Sequence, residues 1–120
     1  MVGIFFKPGS KYSGWFDAPF PFGKTEFNVE IYDFNEIDGI FTGRGSDKQG
    51  DFKISGKIEN MNITFVKDYI DGSHTNIEYS GTILIESNTA SVSGSYSFTY
   101  KTFLVNMNIN EKFYMEFLNK

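Results

Sequence analysis

Lys67 stands in the run Ile63, Phe65, Lys67, Tyr69, where every second residue but itself is apolar or aromatic. On a strand such residues share one face, so the alternation carries an ammonium group to the apolar side of a sheet. A buried lysine needs a counter-charge or gives up its proton. The chemistry it would bring is recognition of an inward carboxylate or of an anionic group on a ligand. The alternative places Lys67 at a strand end, with its stem along apolar surface and its charge in water. Arg44, the only arginine, lies between Gly43 and Gly45 and could grip a carboxylate or phosphate in bidentate fashion, but its parity opposite Phe41 turns it outward. Asp47-Lys48-Gln49-Gly50-Asp51 brings two carboxylates to one corner. A calcium loop needs more oxygens and a terminal bidentate Glu, and Asp and Gly at these places suit a hairpin turn. His74, the only histidine, follows Asp71 and Ser73. Sequence neighbours do not make a catalytic triad, which is defined by geometry, and one His without Cys cannot build the usual zinc site. His74 is expected to be an exposed loop residue. No catalytic residue and no metal or cofactor site can be named from these spacings, which weighs against an enzyme.

The elements that must position these residues follow from a two-residue hydrophobic period broken by turn residues at intervals of roughly ten. Phe27, Val29 and Ile31 alternate with polar partners, and a strand is expected from Ile37 to Gly45. Phe52, Ile54, Gly56 and Ile58 form one face of the next strand, Met61, Ile63 and Phe65 that of its hairpin partner, with a corner at Glu59-Asn60. Ile77, Tyr79, Gly81, Ile83 and Ile85 share a face after the Asp71-Gly72 turn. Val92, Gly94, Tyr96 and Phe98 alternate with Ser91, Ser93, Ser95 and Ser97, so serine marks the wet side. Phe103 to Ile109 and Lys112 to Leu118 read as two strands around an Asn110-Glu111 corner. All three prolines lie in the first twenty-five residues, so only Tyr12 to Asp17 is expected as a strand there, with Asp17 to Lys24 a loop.

The composition agrees. Fourteen Phe, seven Tyr and one Trp in 120 residues, against two Ala and three Leu, favour a pleated sheet over helices. The expected fold is all-β: a single antiparallel meander closed into a barrel of about eight strands, one domain spanning residues 1–120. Closure removes exposed edges, and the mid-strand glycines Gly43, Gly45, Gly56, Gly81 and Gly94 permit strong coiling. A net charge of −4 with one arginine excludes the cationic patch that a nucleic acid needs. No run approaches the roughly 18 apolar residues of a membrane-spanning helix. The first residues lack the basic start of a secretory signal, and the absence of cysteine fits a reducing cytosol, so a cytoplasmic location is the expectation.

The Gly14-Trp15 strand near the start, followed by meander strands with period-two apolar faces and no helix of consequence, resembles the calycin-type small barrels, in particular the streptavidin-like ones. The resemblance implies an eight-stranded up-and-down barrel. Streptavidin-like barrels hold biotin with several tryptophans and a set of small polar residues, whereas here Trp15 is the sole tryptophan.

The aromatic set Trp15, Phe27, Phe41, Phe52, Phe65, Tyr79, Tyr96 and Phe98 is expected to face the interior. Two functions follow from that placement. In the first, the barrel is non-enzymatic and binds a small apolar or amphipathic molecule, with Trp15, Phe65, Tyr79 and Tyr96 lining the site and Lys67 meeting any anionic group. In the second, the core is filled and the chain is a protein-interaction module of the immunity or inhibitor type. Its surface would then be an acidic face and the Pro19-Phe20-Pro21-Phe22 loop. Interior volume separates the two.

Overall fold

The computed structural model describes residues 2–18, 23–71, 76–101, 104 and 106–118. They form a one-turn helix α1 (Gly3–Phe6) and eight strands: β1 (Lys11–Ala18), β2 (Gly23–Phe34), β3 (Ile40–Asp47), β4 (Gly50–Glu59), β5 (Asn62–Tyr69), β6 (Ile77–Glu86), β7 (Thr89–Lys101) and β8 (Asn106–Phe117). Each strand pairs antiparallel with the next, and β8 returns to β1, closing the barrel in sequence order. The expected all-β meander is therefore the observed one.

The period-two faces decide what lies inside. Phe27, Val29 and Ile31 of β2, Phe52, Ile54 and Ile58 of β4, and Val92 and Tyr96 of β7 are all buried. Where β2 and β3 run together the register slips between Ile31 and Asp33. This bulge leaves Tyr32 exposed and reverses the parity, so Phe34 packs against the core although Phe27, Val29 and Ile31 set the opposite count. Gly81 and Gly94 face each other across β6 and β7. A Cβ at Gly81 would come within 2.6 Å of the Ser93 carbonyl oxygen and 3.2 Å of the Phe113 ring, so the missing side chain lets β7 and that ring approach closely.

One end of the barrel is stoppered by α1. Phe6 stacks on Tyr12 at 5.1 Å and reaches Phe41 at 6.2 Å. The buried Tyr12 hydroxyl donates to the carbonyl of Phe5 at 2.8 Å, tying the helix to β1. Tyr12→Phe removes that tie and is expected to cost about 1–2 kcal/mol, the usual loss for a buried donor–acceptor pair. Urea unfolding monitored by circular dichroism would read it.

Four expectations change. The strand expected from Ile37 begins at Ile40, because the Asn35 and Asp38 side chains accept from the Ile37 and Ile40 amides and Gly39 takes φ +77°. These bonds make residues 35–39 a turn, with Ile37 97% exposed at its tip. The loop expected from Asp17 to Lys24 is shorter, since the β1–β2 ladder runs on to Ala18 opposite Gly23. Asn110 and Glu111 are not a corner: β8 is continuous there, pairing Asn110 with Ser97 and Glu111 with Tyr96. The polar corner signal loses to a ladder with β7. The fourth change is that the start of the chain, expected to hold one strand and no helix of consequence, supplies the helical stopper. Pro19 to Phe22 and Ser73-His74 lie outside the described residues.

Candidate functional site

At the barrel end opposite α1, the inward faces of β3 and β5 bring charge inside. Lys67 has the parity of Ile63 and Phe65 and is only 2% exposed. Of the two placements open in the sequence, the structure takes the inward one. Asp47 is the last residue of β3 and keeps the parity of Phe41, Gly43 and Gly45. Its side chain is fully covered, and its Oδ2 lies 2.6 Å from Lys67 Nζ. The same oxygen accepts from the Tyr69 hydroxyl at 2.6 Å, and Oδ1 accepts from the Gln49 amide at 2.8 Å. Lys67 Nζ also donates to the Tyr79 hydroxyl at 3.4 Å.

Rings wall this pair. Lys67 Nζ lies 4.5 Å from the Phe16 centroid, 4.6 Å from Phe52, 4.9 Å from Tyr69 and 5.8 Å from Tyr79. Each face offers a cation the negative side of its quadrupole. Phe16 belongs to β1 and Lys67 to β5, so this contact spans the barrel. Burial lowers the Lys67 ammonium below its usual range, opposed by the hydrogen bond and charge of Asp47. Burial also raises the Tyr69 and Tyr79 phenols, which stay neutral. Tyr96 is pushed up to about 12 by burial, with smaller contributions from Glu111 and Asp17, and its hydroxyl donates to the Asp17 carbonyl.

Beneath the pair the rings continue. Phe65 stacks on Tyr79 at 4.8 Å, Phe113 meets Tyr79 edge-on at 4.9 Å, Tyr96 lies 5.3 Å from Tyr79, and Phe16 meets Tyr96 edge-on at 5.6 Å. These contacts run across the barrel from β1 to β5 by way of β6 and β7. Two grooves, of about 320 and 460 Å³, include neither Lys67 nor Asp47. The first runs over β4 to β8, lined by outward residues such as Ser55, Thr64 and Ser80 and also by Phe65, Tyr79 and Tyr96; the second lies by the α1 end, beside Val2 and Ile37.

The structure thus brings together four of the five residues expected at a site: Phe65, Lys67, Tyr79 and Tyr96. Trp15 is the exception. Tyr12 and Phe16 of its strand are buried, so the alternation turns Trp15 outward, where it stacks on Tyr114 at 6.2 Å and lies under Lys24 Nζ at 3.6 Å. Phe98 is only partly buried, at the edge of the core. Arg44 is exposed, as its parity implies. Asp47 and Tyr69, which complete the polar cluster, and Phe16, which walls it, are additions. The parity of Asp47 with Phe41 was the available signal for the first. Among the described residues no group of acidic side chains and histidine is placed to hold a metal ion.

No protein-family model matches the chain, and no curated protein matches it significantly. Solved structures do. A rhizavidin–biotin complex aligns with a TM-score of 0.67 at 10% identity, over 94% of this chain and 96% of that one. A second rhizavidin structure gives 0.67 at 10% identity, over 92% and 83%. Apo shwanavidin gives 0.59 at 12% identity, over 91% and 98%. The fold is that of the streptavidin-like, calycin-type barrels, and at this identity the likeness is one of fold.

Proposed function

We propose that the protein is a non-enzymatic barrel that binds a small apolar or amphipathic molecule at the end opposite α1. The observation that carries the reading is the lysine–carboxylate pair enclosed by aromatic rings at that end. Buried ion pairs are weak sources of stability, and charged groups displaced from their solution behaviour concentrate at functional sites. The rings would supply apolar contact and the phenols orientation. One of the barrels of this fold is described in complex with biotin, which supports a ligand at this architecture without naming the one bound here. Because Trp15 lies outside, the ligand would meet Phe and Tyr.

Thermal unfolding against a panel of small apolar and amphipathic molecules tests it. A ligand at a hundredfold excess over its Kd should raise Tm by roughly 10 °C. Lys67→Met should weaken an anionic ligand by about 10- to 100-fold, the worth of a charge-assisted hydrogen bond. A panel without any response would count against the reading. The ring packing of the interior favours the second reading, a filled core acting through surface loops, which predicts that silence and a protein partner instead.

A further inference from the structure

Resting on the small-ligand reading, we propose that the ligand carries a carboxylate, and that Asp47 is an internal stand-in which the ligand replaces on Lys67 and Tyr69. Two donors converge on a single oxygen: Lys67 Nζ and the Tyr69 hydroxyl each lie 2.6 Å from Asp47 Oδ2. Both donors come from the end of β5, two residues apart on one face: Lys67 lies opposite Ile54 and Ile77, and Tyr69, the last residue of the strand, opposite Phe52. The acceptor comes from a different strand. Asp47 ends β3 at the two-residue corner Lys48-Gln49, both exposed, and reaches the donors past β4. The two donors thus sit on one strand, while the anion they share is supplied by another, from a residue paired with Phe27 and Gly50 at the edge of a hairpin corner.

The donor set selects the class. One ammonium and one phenol balance a single negative charge, which suits a carboxylate better than a phosphate dianion. The surrounding rings of Phe16, Phe52 and Tyr79 offer apolar contact to the carbon skeleton behind that carboxylate.

Chemical rescue tests this. Asp47→Ala leaves Lys67 without its counter-charge and should lower Tm by about 10–20 °C. Formate or acetate should then raise Tm saturably, whereas chloride at equal ionic strength should not. Asp47→Asn fills the same volume and should show no recovery, and neither should Asp47→Ala with Lys67→Met. Octanoate should bind Asp47→Ala at least about tenfold more tightly than the unsubstituted chain, because the internal competitor is gone. If Asp47→Ala does not fold, the readout becomes recovery of its near-ultraviolet dichroism on dilution from urea into formate. Equal responses to formate and chloride, or recovery that persists without Lys67, would overturn the proposal. Carboxylate rescue alongside an unresponsive wild-type panel would uphold the anion site and remove the small-ligand reading. A wild-type ligand lacking any anionic group, together with no rescue, would do the reverse.

Discussion

Lys67→Met alone should lower the unfolding free energy by about 3–5 kcal/mol, whereas removing the whole polar cluster should leave it within about 1–2 kcal/mol of the starting value or above it. The asymmetry follows from where the charge goes. With the ammonium gone, the Asp47 carboxylate stays covered on the inside of the barrel, served among the described residues by the Tyr69 hydroxyl and the Gln49 amide. The fold must then carry an uncompensated charge or protonate it. In Lys67→Met/Asp47→Leu/Tyr69→Phe no charge is buried, the remaining cost is the Tyr79 hydroxyl that has lost its Lys67 donor, and the new side chains meet Phe16 and Phe52, which already wall the space. Urea titration of the single and triple variants measures both. Equal losses would mean that the pair is a net source of stability, retained for the fold and not for a ligand.

Alkaline pH should unfold the barrel steeply. Burial holds Tyr12, Tyr69 and Tyr79 protonated far above the usual phenol range and pushes Tyr96 up to about 12. An unfolded chain releases these protons near pH 10, so from there upward the folded state binds more protons and stability falls as pH rises. For Tyr96 the window runs from about 10 to about 12, and for the other three it extends further. Each phenol that keeps its proton removes about 1.4 kcal/mol per pH unit. Tyr12 and Tyr79 alone would therefore remove about 2.7 kcal/mol per unit. Lys67 acts in the opposite sense, because its lowered folded value makes the unfolded chain the better proton binder, but that contribution ends near pH 10.4. A domain of ordinary stability, about 5–15 kcal/mol, should lose its near-ultraviolet dichroism within about two to four units above pH 10. Intact dichroism at pH 13 with ionised phenol absorbance would show that the rings titrate inside the fold.

The sheet and its closure were legible because the evidence for them repeats. Val92, Gly94, Tyr96 and Phe98 against four serines admit one inward face, and the same logic carried Lys67 inside. Trp15 was not legible because its neighbour Gly14 has no side chain to declare a parity; Tyr12 and Phe16 declare it, one residue to the other side. Asp47 was hidden by its own turn chemistry, since an Asp before a glycine-containing corner reads as solvated, while its partner Lys67 is twenty residues away. Asn110-Glu111 failed in the same way: local preference suggests a corner, and pairing with Ser97 and Tyr96 decides otherwise. Helix α1 is too short to show a period; Phe6 packing on Tyr12 and Phe41 and the Tyr12 hydroxyl bond to Phe5 give it its place.

The seam between β1 and β8 joins Tyr12 to Phe117 and Phe16 to Phe113, linking residues about a hundred positions apart. Every other ladder links strands that are neighbours in the chain and can zip as it emerges; this one waits for the last strand to be made. Until then β1 and β7 both present unpaired backbone, the surface on which extended chains associate. Contacts of such long sequence separation also slow folding. Synthesis of β8 is thus the step that covers both edges, and the speed with which β8 finds β1 sets how long they stay open to association.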